Sequence, residues 1–92
     1  MKLKPEGTWK NFDGTIKMTL ISIPGKSDVY SIDYSVGEKV SNDQIHLSNT
    51  DNINWHITGN DVLGTGFLKF LSNNDIIIKT SKIGEIKLNR IT

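Results

Sequence analysis

The chain has no cysteine, which excludes a disulfide framework, a thiolate metal site and a cysteine nucleophile. It also has no run of basic residues, because its 11 lysines and arginines are spread singly and interleaved with 10 carboxylates. A protein that neutralises a row of phosphates needs such a run. We therefore do not expect the chain to bind nucleic acid.

Long apolar segments are absent as well. No stretch approaches the roughly 20 residues of a membrane span, and residues 1–6 lack the apolar core of a secretion signal. We expect no membrane span. We expect a cytoplasmic location for the sequence as it stands, and an extracytoplasmic one if a signal segment has been removed. With 92 residues and a formal net charge of +1, the chain is expected to form one small domain over residues 1–92.

The sequence does contain a regular alternation of apolar and polar residues. Segment 30–36 places tyrosine, isoleucine or valine at every even position and serine or aspartate at every odd one, the pattern of a strand with one buried face. Turn-forming residues such as Asp13-Gly14 and Pro24-Gly25 separate such runs. The pattern predicts an all-β, antiparallel up-and-down meander. Its strands are expected near residues 7–12, 15–23, 28–36, 39–47, 52–58, 62–71, 75–80 and 83–91.

Three segments resemble small bacterial lipocalin-like (calycin) domains. Gly7-Thr8-Trp9-Lys10 is similar to the Gly-x-Trp entry of that family, segment 55–63 to its middle hairpin, and segment 84–90 to its closing strand. The resemblance implies a small barrel in which Trp9 plugs one end and Arg90 stacks across it as a clamp, so that Gly7, Trp9 and Arg90 have structural roles. The alternative interpretation of Gly7 to Trp9 is an ordinary strand start with a core tryptophan.

Two features depart from the family pattern. The chain is shorter than a usual eight-stranded member, and Asp13-Gly14 places a turn where the family often continues its first strand. A half-barrel that closes by pairing with a second copy is therefore an alternative to a closed barrel.

An aromatic set is the main candidate site. The set comprises Tyr30, Tyr34, Trp55, Phe67 and Phe70, which fall on predicted neighbouring strands and could line a pocket. We expect a small hydrophobic or amphipathic ligand to be held between Tyr30, Tyr34, Trp55 and Phe67. The alternative is that these side chains simply fill the interior of a short chain. No cofactor is expected.

The histidines offer a weaker site. His46 and His56 lie on predicted neighbouring strands and could bind a metal with Asp43 or Asn54, but two ligands without a third favour exposed strand histidines and no metal. Gly64-Thr65-Gly66 lacks the rest of a phosphate loop, and it indicates instead a place where a strand bends or another backbone comes close.

The function that we expect from the sequence is non-enzymatic binding of a small ligand inside a lipocalin-like barrel. No serine sits in a nucleophile elbow, so the sequence does not favour an enzyme. The alternative is a protein-interaction module, an inhibitor or accessory factor, that uses a sheet edge or loops. In one form of this alternative, two half-barrels pair as a homodimer.

Overall fold

A computed structural model describes residues 4–51, 53–58 and 63–91. These residues form an antiparallel meander that closes into a barrel in chain order, with β8 beside β1. The strands are β1 (Gly7–Lys10), β2 (Ile16–Ser22), β3 (Val29–Val36), β4 (Lys39–Asn49), β5 (Asn54–Thr58), β6 (Gly66–Ser72), β7 (Asp75–Thr80) and β8 (Gly84–Arg90). The all-β meander predicted from the sequence is confirmed. No helix that could cross a membrane occurs in the described ranges.

Most strand bounds lie within one residue of the predicted ones, and the larger differences are in β1, β4, β5 and β6. β1 ends at Lys10, because a tight turn over residues 11–15 takes the two residues that the sequence assigned to the strand. β4 continues to Asn49, two residues beyond the predicted end, where it still pairs with Trp55. β5 begins at Asn54, and its predicted start at residue 52 lies outside the described residues. β6 begins at Gly66, and the predicted start of this strand near residue 62 lies outside the described residues, as does part of the segment 55–63 that resembles the family hairpin.

A single chain closes this barrel. Trp9 pairs with Arg90 and Lys10 with Asn89 across β1 and β8, and the backbone N–H of Ile91 donates to the carbonyl of Thr8 at 2.7 Å. β1 and β8 therefore hydrogen-bond to each other within one chain, and the barrel needs no second copy to close. The half-barrel alternative is wrong for this reason.

The core occupies the inside of the barrel. It consists of alternate residues of each strand, as expected for a sheet with one buried face. Trp9 is fully buried, and its ring meets that of Phe70 in an edge contact with centroids 6.0 Å apart. The buried hydrophobic residues are Trp9, Met18, Leu20, Tyr30, Ile32, Tyr34, Ile45, Leu47, Trp55, Ile57, Leu63, Leu68, Phe70, Ile76, Ile78 and Leu88.

Gly66 lies where two strands come unusually close. A Cβ atom at this position would stand 1.9 Å from the carbonyl oxygen of Lys79 and 2.7 Å from the Cα of Thr80. Only glycine leaves room for β7 at this distance. The sequence-based interpretation of Gly66, close approach of another backbone, is confirmed.

Candidate functional site

One end of the barrel is closed by Trp9 and Arg90. The indole N–H of Trp9 donates to the carbonyl of Pro5 at 2.9 Å. The guanidinium carbon of Arg90 lies 4.2 Å from the centroid of the Trp9 ring, within the range of a cation–π contact. This is the arrangement that the lipocalin-like resemblance implies for these two residues.

Arg90 also fixes the chain segment that precedes β1. Its Nη1 donates to the carbonyl of Glu6 at 2.6 Å, its Nη2 to the carbonyl of Lys4 at 2.9 Å, and its Nε to the carbonyl of Asn73 at 3.0 Å. A planar guanidinium suits this task because it presents several donors in a rigid fork. Burial lowers the pKa of Arg90, but an arginine remains protonated in proteins. The shallow surface depression between these residues is therefore a structural joint whose donors are already engaged.

Inside the barrel, Trp55 carries a polar atom with no partner. Trp55 lies on the inward face of β5, paired with Asn49 on β4 and Leu68 on β6, and it is 5% exposed. Among the described residues, its Nε1 is a fully buried side-chain nitrogen that has no hydrogen-bond partner. Buried donors are nearly always satisfied by protein, water or ligand, so this N–H marks a position where an acceptor belongs.

Two tyrosines of β3 face the same interior. Tyr30 and Tyr34 are 9% and 8% exposed. Burial raises the pKa of both phenols, and the carboxylates of Glu6 and Asp28 raise that of Tyr30 further. Within the described part of the chain, neither hydroxyl makes a hydrogen bond to protein. The sequence-based assignment of Tyr30, Tyr34 and Trp55 to the barrel interior agrees with these positions.

Two polar side chains of β4 join the inward face and were not foreseen. Ser41 pairs with Tyr34 and Asp43 with Ile32, and paired residues share a face of the sheet. Both are only half-buried. The signal was present in the sequence, since Ser41 and Asp43 are in phase with buried Ile45, but aromatic residues were given precedence over polar ones.

Phe67 does not belong to this set. It lies on the outer face of β6, 40% exposed, opposite His56. Its neighbours Leu68 and Phe70 occupy the inward positions instead. The expectation that Phe67 lines the interior is contradicted, because apolar residues occur on both faces of β6 and alternation alone did not identify the buried face.

The histidines are not brought together with a third ligand. His46 pairs with Thr58 and His56 with Ser48, so the two lie diagonally on the outer face. Asp43 faces inward, on the side of the sheet opposite to His46. Across the described ranges there is no group of three or more histidine, cysteine, aspartate or glutamate side chains that could hold a metal ion.

The fold defines a class: an eight-stranded antiparallel barrel compatible with a lipocalin-like barrel, closed at one end by an arginine on a tryptophan. No protein-family model, no curated protein and no solved structure matches the sequence or the fold.

Proposed function

We propose that this protein is a lipocalin-like binding module, without catalytic activity, that holds one small hydrophobic or amphipathic molecule inside the barrel. The observation that carries the proposal is the buried and unpartnered Nε1 of Trp55. An unsatisfied buried donor costs about 1 to 3 kcal/mol. A ligand with a hydrogen-bond acceptor would remove this cost.

The architecture supports the same function. An eight-stranded barrel is just wide enough either to be filled by side chains or to hold one small ligand. β1 and β5 begin, and β8 ends, at the end that Trp9 and Arg90 close. Trp55 is the second residue of β5, so its N–H lies deep in the barrel for a molecule that enters from the other end.

The polar groups of the interior narrow the ligand class. Trp55 can only donate, whereas the hydroxyls of Tyr30, Tyr34 and Ser41 can donate or accept. Most of the remaining interior is aliphatic. We therefore propose an acyl chain or another apolar body that ends in a carboxylate, ester or carbonyl group.

Calorimetric titration with two probes tests the proposal. Dodecanoate carries an acceptor, and dodecylammonium has a similar chain but only donors. We expect dodecanoate to bind with a stoichiometry of one and to bind more tightly than dodecylammonium. Native mass spectrometry of the freshly purified protein should show the same one-to-one adduct.

The matched variants are Trp55→Phe and Trp9→Phe. Trp55→Phe keeps an aromatic ring in place but removes the N–H, and we expect it to weaken dodecanoate binding by about 10-fold to 150-fold, the equivalent of one hydrogen bond to a charged group. Trp9→Phe should lower stability but leave the affinity unchanged, because the Trp9 N–H already donates to Pro5. If neither probe binds, or if Trp55→Phe binds dodecanoate as tightly as wild type does, the proposal is wrong.

A second candidate function is a protein-interaction module. It is favoured by exposed apolar residues on the outer face of β6, where Phe67 and Leu71 are 40% and 47% exposed. Because the barrel closes on itself, this candidate relies on strand faces and loops. Phe67→Ser with Leu71→Ser would abolish partner binding but leave the affinity for dodecanoate unchanged.

A further inference from the structure

Phe12 is almost fully in water. It stands at the tip of the β1–β2 hairpin and is 99% exposed, more than any other large hydrophobic residue in the described part of the chain. Burying a phenylalanine side chain is worth about 1.5 to 3 kcal/mol, and the folded monomer obtains none of this from Phe12. A tip residue that serves only the turn has no need of an aromatic ring.

The turn that holds Phe12 is tightly bonded. Asn11 and Ile16 exchange hydrogen bonds, through the Asn11 N–H to the Ile16 carbonyl and the Ile16 N–H to the Asn11 Oδ1, both at 3.0 Å. Asp13 Oδ1 accepts from the N–H and the hydroxyl of Thr15 at 3.1 and 2.7 Å. The ring of Phe12 is therefore presented by an ordered hairpin, not by a loose loop.

A second hairpin tip stands beside the first. The N–H of Gly37, in the β3–β4 turn, donates to the carbonyl of Thr15 at 2.8 Å. Val36 and Val40 flank this turn and are 47% and 68% exposed. Val36 pairs with Ile16 and is in phase with the inward residues of β3, whereas Val40 pairs with Ser35 on the outer face. Phe12, Val36 and Val40 are thus exposed apolar side chains at the same end of the barrel, and we call them the apolar tip.

Lysines lie beside the apolar tip on the outer face of the barrel. Lys10 and Lys17 are paired across β1 and β2, and both are exposed. Like charges placed opposite each other are unfavourable, and within the described ranges neither lysine has an ion-pair partner. A nearby anionic surface would relieve this repulsion.

The local charge remains positive when the whole end is counted. Lys39 flanks the β3–β4 turn, and Lys87 is two residues from Asn89, which pairs with Lys10. Asp13 and Glu38 are the carboxylates of the two turns. Four lysines therefore lie near the apolar tip against two turn carboxylates. In the β7–β8 hairpin at the same end, Glu85 is paired with Lys79, and Lys82 adds a further positive charge.

We propose that the apolar tip docks onto the surface of an anionic lipid bilayer. Phe12, Val36 and Val40 would enter the interface between headgroups and acyl chains, while Lys10 and Lys17 meet the lipid phosphates. This combination of apolar side chains with adjacent cations is what holds a protein at a membrane surface without spanning it.

The shape of the tip favours a bilayer over a protein partner. Phe12 comes from one turn, whereas Val36 and Val40 lie on opposite faces of the neighbouring hairpin. A deformable lipid surface accepts such a scattered set of side chains without a matching cavity. Lys10 and Lys17 lie on the outer face in one row with Ser35 and Val40, next to the tip, where they can meet lipid headgroups. This docking does not depend on the ligand proposed for the barrel interior.

Vesicle co-sedimentation of the whole chain tests the proposal. Wild type is incubated with vesicles of phosphatidylcholine alone and with vesicles in which part of this lipid is replaced by phosphatidylserine. We expect binding to the anionic vesicles, weaker binding to the neutral ones, and a loss of binding as salt is added. Phe12→Asn, which suits the turn, should weaken partitioning about tenfold. Lys10→Gln with Lys17→Gln should weaken it about fivefold for each lysine.

Matched controls come from the other end of the barrel. Leu71→Asn replaces a side chain of β6 that is 47% exposed, and Lys26→Gln with Lys69→Gln removes two exposed charges; both controls should bind vesicles as wild type does. The proposal is overturned if wild type does not bind anionic vesicles. The exposed Phe12 would then point to a protein partner. It is also overturned if Phe12→Asn and Leu71→Asn bind equally well.

Discussion

Arg90 and Trp9 connect the two ends of the chain through two interactions, one of the backbone and one of the side chains. They are directly paired across β1 and β8, and the guanidinium of Arg90 also lies 4.2 Å from the centroid of the Trp9 ring. The same guanidinium donates to the carbonyls of Lys4 and Glu6. Backbone pairing between β1 and β8 is short, so this side-chain contact carries an important share of the closure.

A double-mutant cycle measures the contact between these residues. Trp9→Leu removes the aromatic face, and Arg90→Met keeps most of the side-chain stem but removes the guanidinium. We expect each change to lower the free energy of unfolding, with a coupling of about 0.5 to 2 kcal/mol between them. Urea denaturation of the four proteins gives the cycle. Additive losses would show that the stacked geometry contributes no energy of its own.

Gly66→Ala tests the close approach of β6 and β7. The added methyl group meets the backbone of Lys79 and Thr80, which cannot move aside as a side chain can. We expect a loss of about 1 to 3 kcal/mol, as for other overpacked sites. Gly64→Ala is a poor control because its φ is +80°, so the comparison uses Thr65→Ala, an exposed neighbour. Urea midpoints that are equal for the two variants would contradict the structure here.

The fold was predictable because each strand carries its own pattern and because the two ends of the chain carry recognisable residues. The alternation in segment 30–36 identifies β3, and the Gly7 to Trp9 entry together with Arg90 indicates that the ends meet. The site was less predictable. β6 has apolar residues at consecutive positions, so its sequence alone does not show that Phe67 faces outward. The missing partner of Trp55 Nε1 depends on three-dimensional packing, which no spacing rule reveals.

The tyrosines of β3 predict a loss of stability in alkali. Burial raises the pKa of Tyr30 and Tyr34 above the ordinary tyrosine value of about 10, so the folded state keeps these protons to a higher pH than the unfolded chain does. The stabilisation is present below about pH 10 and is lost as the pH rises through the folded-state pKa.

Urea midpoints measured at about pH 9 and about pH 11, on either side of the ordinary tyrosine pKa, check this prediction. Tyr30→Phe and Tyr34→Phe should each reduce the fall in stability between the two conditions, because the removed phenol no longer titrates. Lysine titration contributes equally to all of these proteins, so the difference from wild type isolates the tyrosine. If both variants lose as much stability as wild type does between the two pH values, the assignment is refuted.

The hydrogen bonds of Asp51 predict a loss of stability at low pH. Its Oδ1 accepts from the N–H of Ile53 at 2.9 Å and of Asn54 at 2.8 Å, between β4 and β5. Hydrogen bonds from the Asn54 side chain and these two N–H groups lower the pKa of Asp51. Its stabilisation is therefore present above the ordinary aspartate pKa and is lost as the pH falls through the lowered one.

Asp51→Asn separates the charge from the geometry of this turn. The amide keeps an acceptor oxygen, so at neutral pH we expect a smaller loss of stability than in Asp51→Ala. Both variants should lose less stability than wild type when the pH is lowered to about 3. Thermal unfolding at the two pH values measures this. If wild type and Asp51→Ala respond identically to acid, the carboxylate does not stabilise the turn.

Phe67 and Phe70 provide a matched pair that tests the register of β6. Phe70 is 2% exposed and contacts the Trp9 ring, whereas Phe67 is 40% exposed on the outer face. We expect Phe70→Ala to cost about 3 to 5 kcal/mol and Phe67→Ala about 1 kcal/mol or less. Because a shift of one residue exchanges the two faces of a strand, equal losses in urea denaturation would mean that β6 pairs in another register. The interior would then contain Phe67, as the sequence alone suggested.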